Sequence, residues 1–127
     1  METRLKRILL IDDSEATLRM VASVLDRSGF EVRSSTSIDQ VTSKLGDWRP
    51  DLILTDVNMP GTSGVELCRQ LKATYDTAHV PVVLFSSMSN EELEVLAREC
   101  EADGYLTKSD LAELPHELSL LIDTLAF

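Results

Sequence analysis

Residues 7–13, Arg7-Ile8-Leu9-Leu10-Ile11-Asp12-Asp13, decide the architecture of this chain. Ile8 to Ile11 are apolar without a break, so a strand built from them has no side that tolerates water. It must be covered on both faces, which is the condition of a strand inside a parallel sheet. Leu52-Ile53-Leu54 and Val82-Val83-Leu84-Phe85 carry the same continuous pattern. Phe30-Glu31-Val32-Arg33 alternates and reads as a strand nearer an edge, and Gly104-Tyr105-Leu106-Thr107 is a fifth strand.

Helical periodicity fills the gaps between these runs. Leu18, Val21, Ala22 and Leu25 recur at helical spacing, with Ser14 placed as N-cap and Gly29 at the C′ position. Ile38, Val41 and Leu45 mark a second helix, Val65, Leu67, Cys68 and Leu71 a third, and Leu93, Leu96 and Ala97 a fourth. Leu118, Leu121, Ile122 and Leu125 mark the last. Pro115 suits the first turn of a helix starting near Leu114, after a short turn over Asp110–Glu113. Strands alternating with helices in this order predict a single α/β domain over residues 1–127, a parallel sheet between two helical layers.

The bulk numbers exclude several classes of function. Twelve basic residues against 22 acidic ones leave a net charge of −10, which opposes direct binding to nucleic acid or to an anionic membrane. No apolar run is long enough to span a bilayer. The apolar run after the basic N-terminus is too short for a signal peptide, so a cytoplasmic location is expected. Cys68 and Cys100 lack metal-site or redox spacing and read as buried thiols.

In an open parallel sheet, ligands sit beyond the carboxyl ends of the strands. The residues found there are Asp12 and Asp13, Thr55 and Asp56, Ser86 and Ser87, and Lys108. One polar residue after a strand needs no explanation beyond solvent. Three carboxylates, a hydroxyl pair and a lysine at one edge do, because repelling carboxylates require a cation. Lys108 supplies one positive charge, and a hard divalent ion such as Mg²⁺ supplies the rest. In that setting Asp56 can act as a nucleophile toward phosphorus.

The segments ILLIDDSEATLRM, PDLILTDVNMPGTSGVELC, VPVVLFSSMS and ADGYLTKSD together resemble the signatures of two-component response regulator receiver domains, across essentially the whole chain. The resemblance implies a flavodoxin-like (βα)5 three-layer sandwich with parallel strand order 2-1-3-4-5. It implies that Asp56 is the phosphoacceptor, with Mg²⁺ held by Asp12, Asp13, Asp56 and the backbone carbonyl of Asn58. Lys108 then pairs with the phosphate, Ser86 is the switch hydroxyl and Tyr105 the switch aromatic. The implied partners are a sensor histidine kinase or phosphotransfer protein and a downstream protein effector, with a dimer on phosphorylation possible. The output surface would be the face of the fourth helix, fifth strand and fifth helix. The implied catalysis is confined to the chain's own phosphorylation and dephosphorylation, so no enzyme acting on an external substrate is expected. A phosphohydrolase would want a carboxylate where Asn58 stands, and a binding-only module would lack part of the acidic set.

Three residues depart from the family pattern. Ser109 replaces the usual proline after the lysine, where a cis bond would cost about 2.5–4 kcal/mol without proline. Met88 puts an apolar group at a position that governs water access, and Pro115 shortens the last helix.

Overall fold

The computed structural model describes residues 5–36, 48–57, 64–73, 79–108 and 111–125. Among them the elements run β1 (Arg7–Ile11), α1 (Glu15–Arg27), β2 (Glu31–Ser35), β3 (Leu52–Thr55), α2 (Gly64–Ala73), β4 (Val82–Ser86), α3 (Asn90–Cys100), β5 (Gly104–Thr107) and α4 (Leu114–Leu125). The expected helix at Ile38–Leu45, Asn58 and Ser109 lie outside the described residues.

All five strands pair in parallel, in the order β2-β1-β3-β4-β5. The central strands are buried along their length, as their unbroken apolar sequences require. Successive residues point to opposite faces, so each strand feeds two cores. Leu9, Ile11, Ile53, Val82 and Leu84 join Cys68 and Leu71 of α2 and Leu93, Ala97 and Cys100 of α3. Ile8, Leu10, Leu52, Leu54, Val83 and Phe85 join Leu18, Val21 and Leu25 of α1 and Leu114, Leu118 and Ile122 of α4. The expected sandwich of helices on both sides of a parallel sheet is therefore the observed one. β2 runs to Ser35 because its register with β1 continues from Arg7↔Glu31 to Ile11↔Ser35.

The helix ends follow local chemistry. Ser14 Oγ accepts the Thr17 N–H at 3.2 Å, and Gly29 takes the positive φ of 92° after the end of α1. Ser89 caps α3 in the same way through the Glu92 N–H, and its hydroxyl donates to the Glu92 carboxylate. α4 begins at Leu114, with Pro115 in its first turn.

The end of α3 is less well matched. Glu101 occupies the left-handed conformation (φ 62°), where its Cβ crowds the backbone and glycine does not. Glu101→Gly is expected to stabilise the fold by about 0.5–1 kcal/mol, the relief of that strain less the extra chain entropy of glycine. In urea titration this is a higher midpoint at unchanged slope; a lower midpoint would refute the strain.

At the amino ends of β1 and β2, Trp48 is buried to 5% exposure. Its indole N–H donates to Glu31 Oε2 at 2.6 Å, and the Arg33 and Arg7 guanidinium groups lie 4.8 and 5.7 Å from its ring centroid. Cys68 and Cys100 are both buried and free, and the Cys68 thiol donates to the Cys100 carbonyl at 3.5 Å. Burial, reinforced by contact with Cys100, pushes the Cys68 thiol up to about 12, which removes thiolate chemistry from it.

Candidate functional site

The carboxyl edge of the sheet gathers residues far apart in sequence. Ile11 pairs with Thr55, so the next residues, Asp12 and Asp56, emerge side by side. Three backbone bonds fix the loops there: Asp56 N–H to Ile11 O at 2.8 Å, Asp12 N–H to Ser35 O at 3.2 Å, and Lys108 N–H to Ser86 O at 2.8 Å. Ser86 and Thr107 pair across β4 and β5, which delivers Lys108 to the same edge.

Carboxylate oxygens of Asp12, Asp13 and Asp56 lie within 4.8 Å of one another. Asp12 is 2% exposed, while Asp13 faces solvent. Asp12 Oδ1 accepts the Ser14 N–H at 3.0 Å, and Asp12 Oδ2 accepts from Lys108 Nζ at 2.7 Å. Lys108 Nζ stands 3.5 Å from Asp56 Oδ1, which also accepts the Val57 N–H at 2.8 Å. The same ammonium lies 5.5 Å from the Phe85 ring centroid. Burial raises the Asp56 carboxyl above the usual aspartate range, against the opposing pull of Lys108 and the Val57 N–H. Asp12 adds to the upward push through like charge.

The buried Ser86 Oγ accepts the Met88 N–H at 3.2 Å. Tyr105, opposite Leu84 in β5, is half-buried against the α2–α3 core, as is Met88. The structure thus brings Asp12, Asp13, Asp56 and Lys108 together, with Ser86 at the end of the adjoining strand. Reading the sequence missed two contributors. Ser14 is more than a helix cap, since its N–H also holds Asp12, and Ser35 contributes its backbone carbonyl. A serine two residues after a strand-end aspartate is the local signal for the first of these.

The residues fit a hard divalent cation. Their donors are carboxylate oxygens, clustered more closely than one ammonium can neutralise, and they stand at the edge of the sheet where this topology binds ligands.

Comparison with known proteins agrees with this geometry. The family model described as the response regulator receiver domain matches residues 8–119. The chain belongs to that family. The receiver domain is 36% identical over 103 residues to the phosphate regulon transcriptional regulatory protein PhoB of Pseudomonas aeruginosa, covering 81% of this chain and 45% of that regulator. It is 39% identical over 104 residues to the response regulator PleD of Caulobacter vibrioides, covering 80% of this chain and 22% of that protein. The receiver domain thus spans less than half the length of these relatives. Among solved structures it superposes on the signal receiver domain of a signal transduction histidine kinase from Syntrophus aciditrophicus, with a TM-score of 0.81 at 30% identity over 95% of this chain and 92% of that one. It has the fold of the chemotaxis response regulator CheY4 of Vibrio cholerae, with a TM-score of 0.81 at 24% identity over 93% and 98% of the two chains. Among the described residues, no helix is long and apolar enough to cross a membrane.

Proposed function

We propose that this receiver domain works in a phosphorelay, accepting a phosphoryl group from a phosphohistidine onto Asp56. The observation that carries the reading is the convergence of Asp12, Asp13, Asp56 and Lys108 at one sheet edge. In the transfer, an Asp56 carboxylate oxygen forms the new O–P bond as the N–P bond of the donor histidine breaks. The imidazole leaves with the bonding pair and takes up a proton.

Asp12, Asp13 and Asp56, with the Asn58 backbone carbonyl on the family pattern, would hold Mg²⁺. When bound, the ion supplies positive charge to the transferring phosphoryl oxygens. The chain's own groups do the rest. Lys108 stabilises a phosphoryl oxygen through its ammonium, and the Val57 N–H orients the Asp56 carboxylate. Ser86 hydrogen-bonds the finished phosphate after releasing the Met88 N–H. Tyr105 then follows into the space that Ser86 vacates, shifting the face of α3, β5 and α4 toward a second pre-existing arrangement.

The partners on this reading are a sensor histidine kinase or phosphotransfer protein and a downstream protein effector in the cytoplasm. A dimer of phosphorylated copies is a further possible output. The chain catalyses its own phosphorylation and dephosphorylation and acts on no other substrate.

Incubation with Mg²⁺ and acetyl phosphate should add the mass of one phosphoryl group, stable in acid and lost in base. Chelation of Mg²⁺ should prevent the addition, and Asp56→Asn should never acquire it. An equal gain of phosphoryl mass by wild type and Asp56→Asn would falsify the reading.

A further inference from the structure

We infer that the face of α3, β5 and α4 takes a cationic, amphipathic segment of the protein effector and rejects a second copy of this chain. This rests on the output face proposed above and deepens it by naming the chemistry of its partner.

The negative charge of the chain is unevenly spread. Residues 90–127 hold ten acidic residues against two basic ones, which leaves −8 of the net −10 there. By contrast α1 balances Glu15 and Asp26 with Arg19 and Arg27, and α2 sets Glu66 against Arg69 and Lys72. Acidity that served solubility alone would have no reason to gather beside one edge strand. Neither basic residue of the acidic region relieves it. Lys108 is turned toward Asp12 and Asp56 at the carboxyl edge, and Arg98 pairs with Glu94 of its own helix at 2.8 Å. Between Lys108 and Phe127 there is no lysine or arginine.

These residues form one surface. Among the described residues β5 is an edge strand, paired with β4. α3 covers one side of it through the core of Leu93 and Ala97, against which Tyr105 packs. α4 covers the other side, with Leu121 against Gly104. On α3, Glu92, Val95 and Glu99 share a stripe turned away from the buried Leu93 and Ala97. On α4, Glu117 and Leu120 are placed in the same way relative to Leu118 and Ile122. Val95 and Leu120 are 52% and 54% exposed, so each carboxylate stripe has an apolar centre.

That pattern suits a helix with an apolar stripe bordered by lysine or arginine. A two-fold contact between copies would lay this patch on itself, so carboxylates would meet carboxylates.

The test is an amide NMR titration of the chain, before and after acetyl phosphate treatment, at about 0.15 M salt. The probe is a short helical peptide of leucine and lysine, with a leucine and glutamate peptide as control. The lysine peptide is expected to shift amides of α3, β5 and α4, and the control to shift none. The triple variant Glu92→Gln, Glu99→Gln, Glu117→Gln should bind about tenfold more weakly, whereas Glu15→Gln with Asp26→Asn on α1 should bind as wild type does. Shifts centred on α1 or on Asp12 and Asp13, or equal binding of both peptides, would overturn the inference. So would a phosphorylated dimer in sedimentation whose contact maps to α3, β5 and α4. Phosphorylation is read separately by mass, so a chain that gains the phosphoryl group yet ignores the lysine peptide overturns the partner class and leaves Asp56 as acceptor.

Discussion

Asp56→Asn is expected to abolish phosphoryl acceptance and, in metal-free buffer at neutral pH, to make the fold more stable. The first effect follows from chemistry, because an amide is not a nucleophile toward phosphorus under conditions where a carboxylate is. The second follows from the site's electrostatics. Burial raises the Asp56 carboxyl above its ordinary value, so its ionised form is less welcome in the folded chain than in the unfolded one. An acid with a raised folded pKa costs nothing below the ordinary carboxylate value of about 3.9. The cost appears as pH rises through the window between that value and the raised one, and is complete above it.

Asp56→Asn should therefore gain about 0.5–1 kcal/mol over wild type at pH 7, a gain limited by solvent screening and by Lys108. The gain should vanish in acid, below the ordinary carboxylate value. Thermal unfolding in EDTA across that pH range measures it. A variant less stable than wild type at neutral pH would contradict the assignment of strain to the Asp56 charge. Function and stability oppose each other at this residue, as expected where like charges are held together for a ligand.

Trp48→Ala is expected to cost about 3–5 kcal/mol, the range for emptying a buried aromatic site. Several losses coincide. The indole fills the α2–α3 core near the amino ends of the strands. Its ring carries the guanidinium groups of Arg33 and Arg7, and its N–H satisfies Glu31. That hydrogen bond, aided by Arg7 and Arg33, holds the Glu31 carboxyl below its usual range. Trp48→Phe keeps a ring for the arginines, and the partly exposed Glu31 loses the indole donor but keeps Arg7, so this variant should cost clearly less than Trp48→Ala. For a domain with a total stability of about 5–15 kcal/mol, the alanine variant stands close to unfolding. Chemical denaturation measures both variants; a cost under about 1 kcal/mol for Trp48→Ala would show that the pocket refills. Because Trp48 sits at the opposite edge from Asp56, the folded fraction of either variant should phosphorylate at the wild-type rate.

Much of the fold was legible because its signals are local. Uninterrupted apolar runs such as Ile8–Ile11 and Val82–Phe85 can satisfy themselves only as doubly covered strands, and that forces helices onto both faces. Ser14, Gly29 and Pro115 each act within one helical turn, so their positions announced helix ends directly. Ser89 carries an equally local capping signal that the hydrophobic periodicity of Leu93, Leu96 and Ala97 left unread. Glu101 was illegible for the opposite reason: nothing in a glutamate advertises a left-handed backbone.

The site divides in the same way. The identities of Asp12, Asp13, Asp56, Ser86 and Lys108 follow from their places after apolar runs, so the chemistry available at the sheet edge was in the chain order itself. Which of these groups touch was not. Lys108 lies 96 residues from Asp12, and only the strand order and the Ser86–Thr107 register bring its ammonium closer to Asp12 than to Asp56. The contact of Cys68 with Cys100 and the clasp of Arg7, Arg33 and Glu31 around Trp48 depend likewise on the packing of distant elements. Periodicity and capping act over a few residues, and by themselves they determined the strands, the helices and the edge where the carboxylates emerge. Partner choice among charges depends on distances of an ångström across paired strands, and the tertiary structure alone sets those.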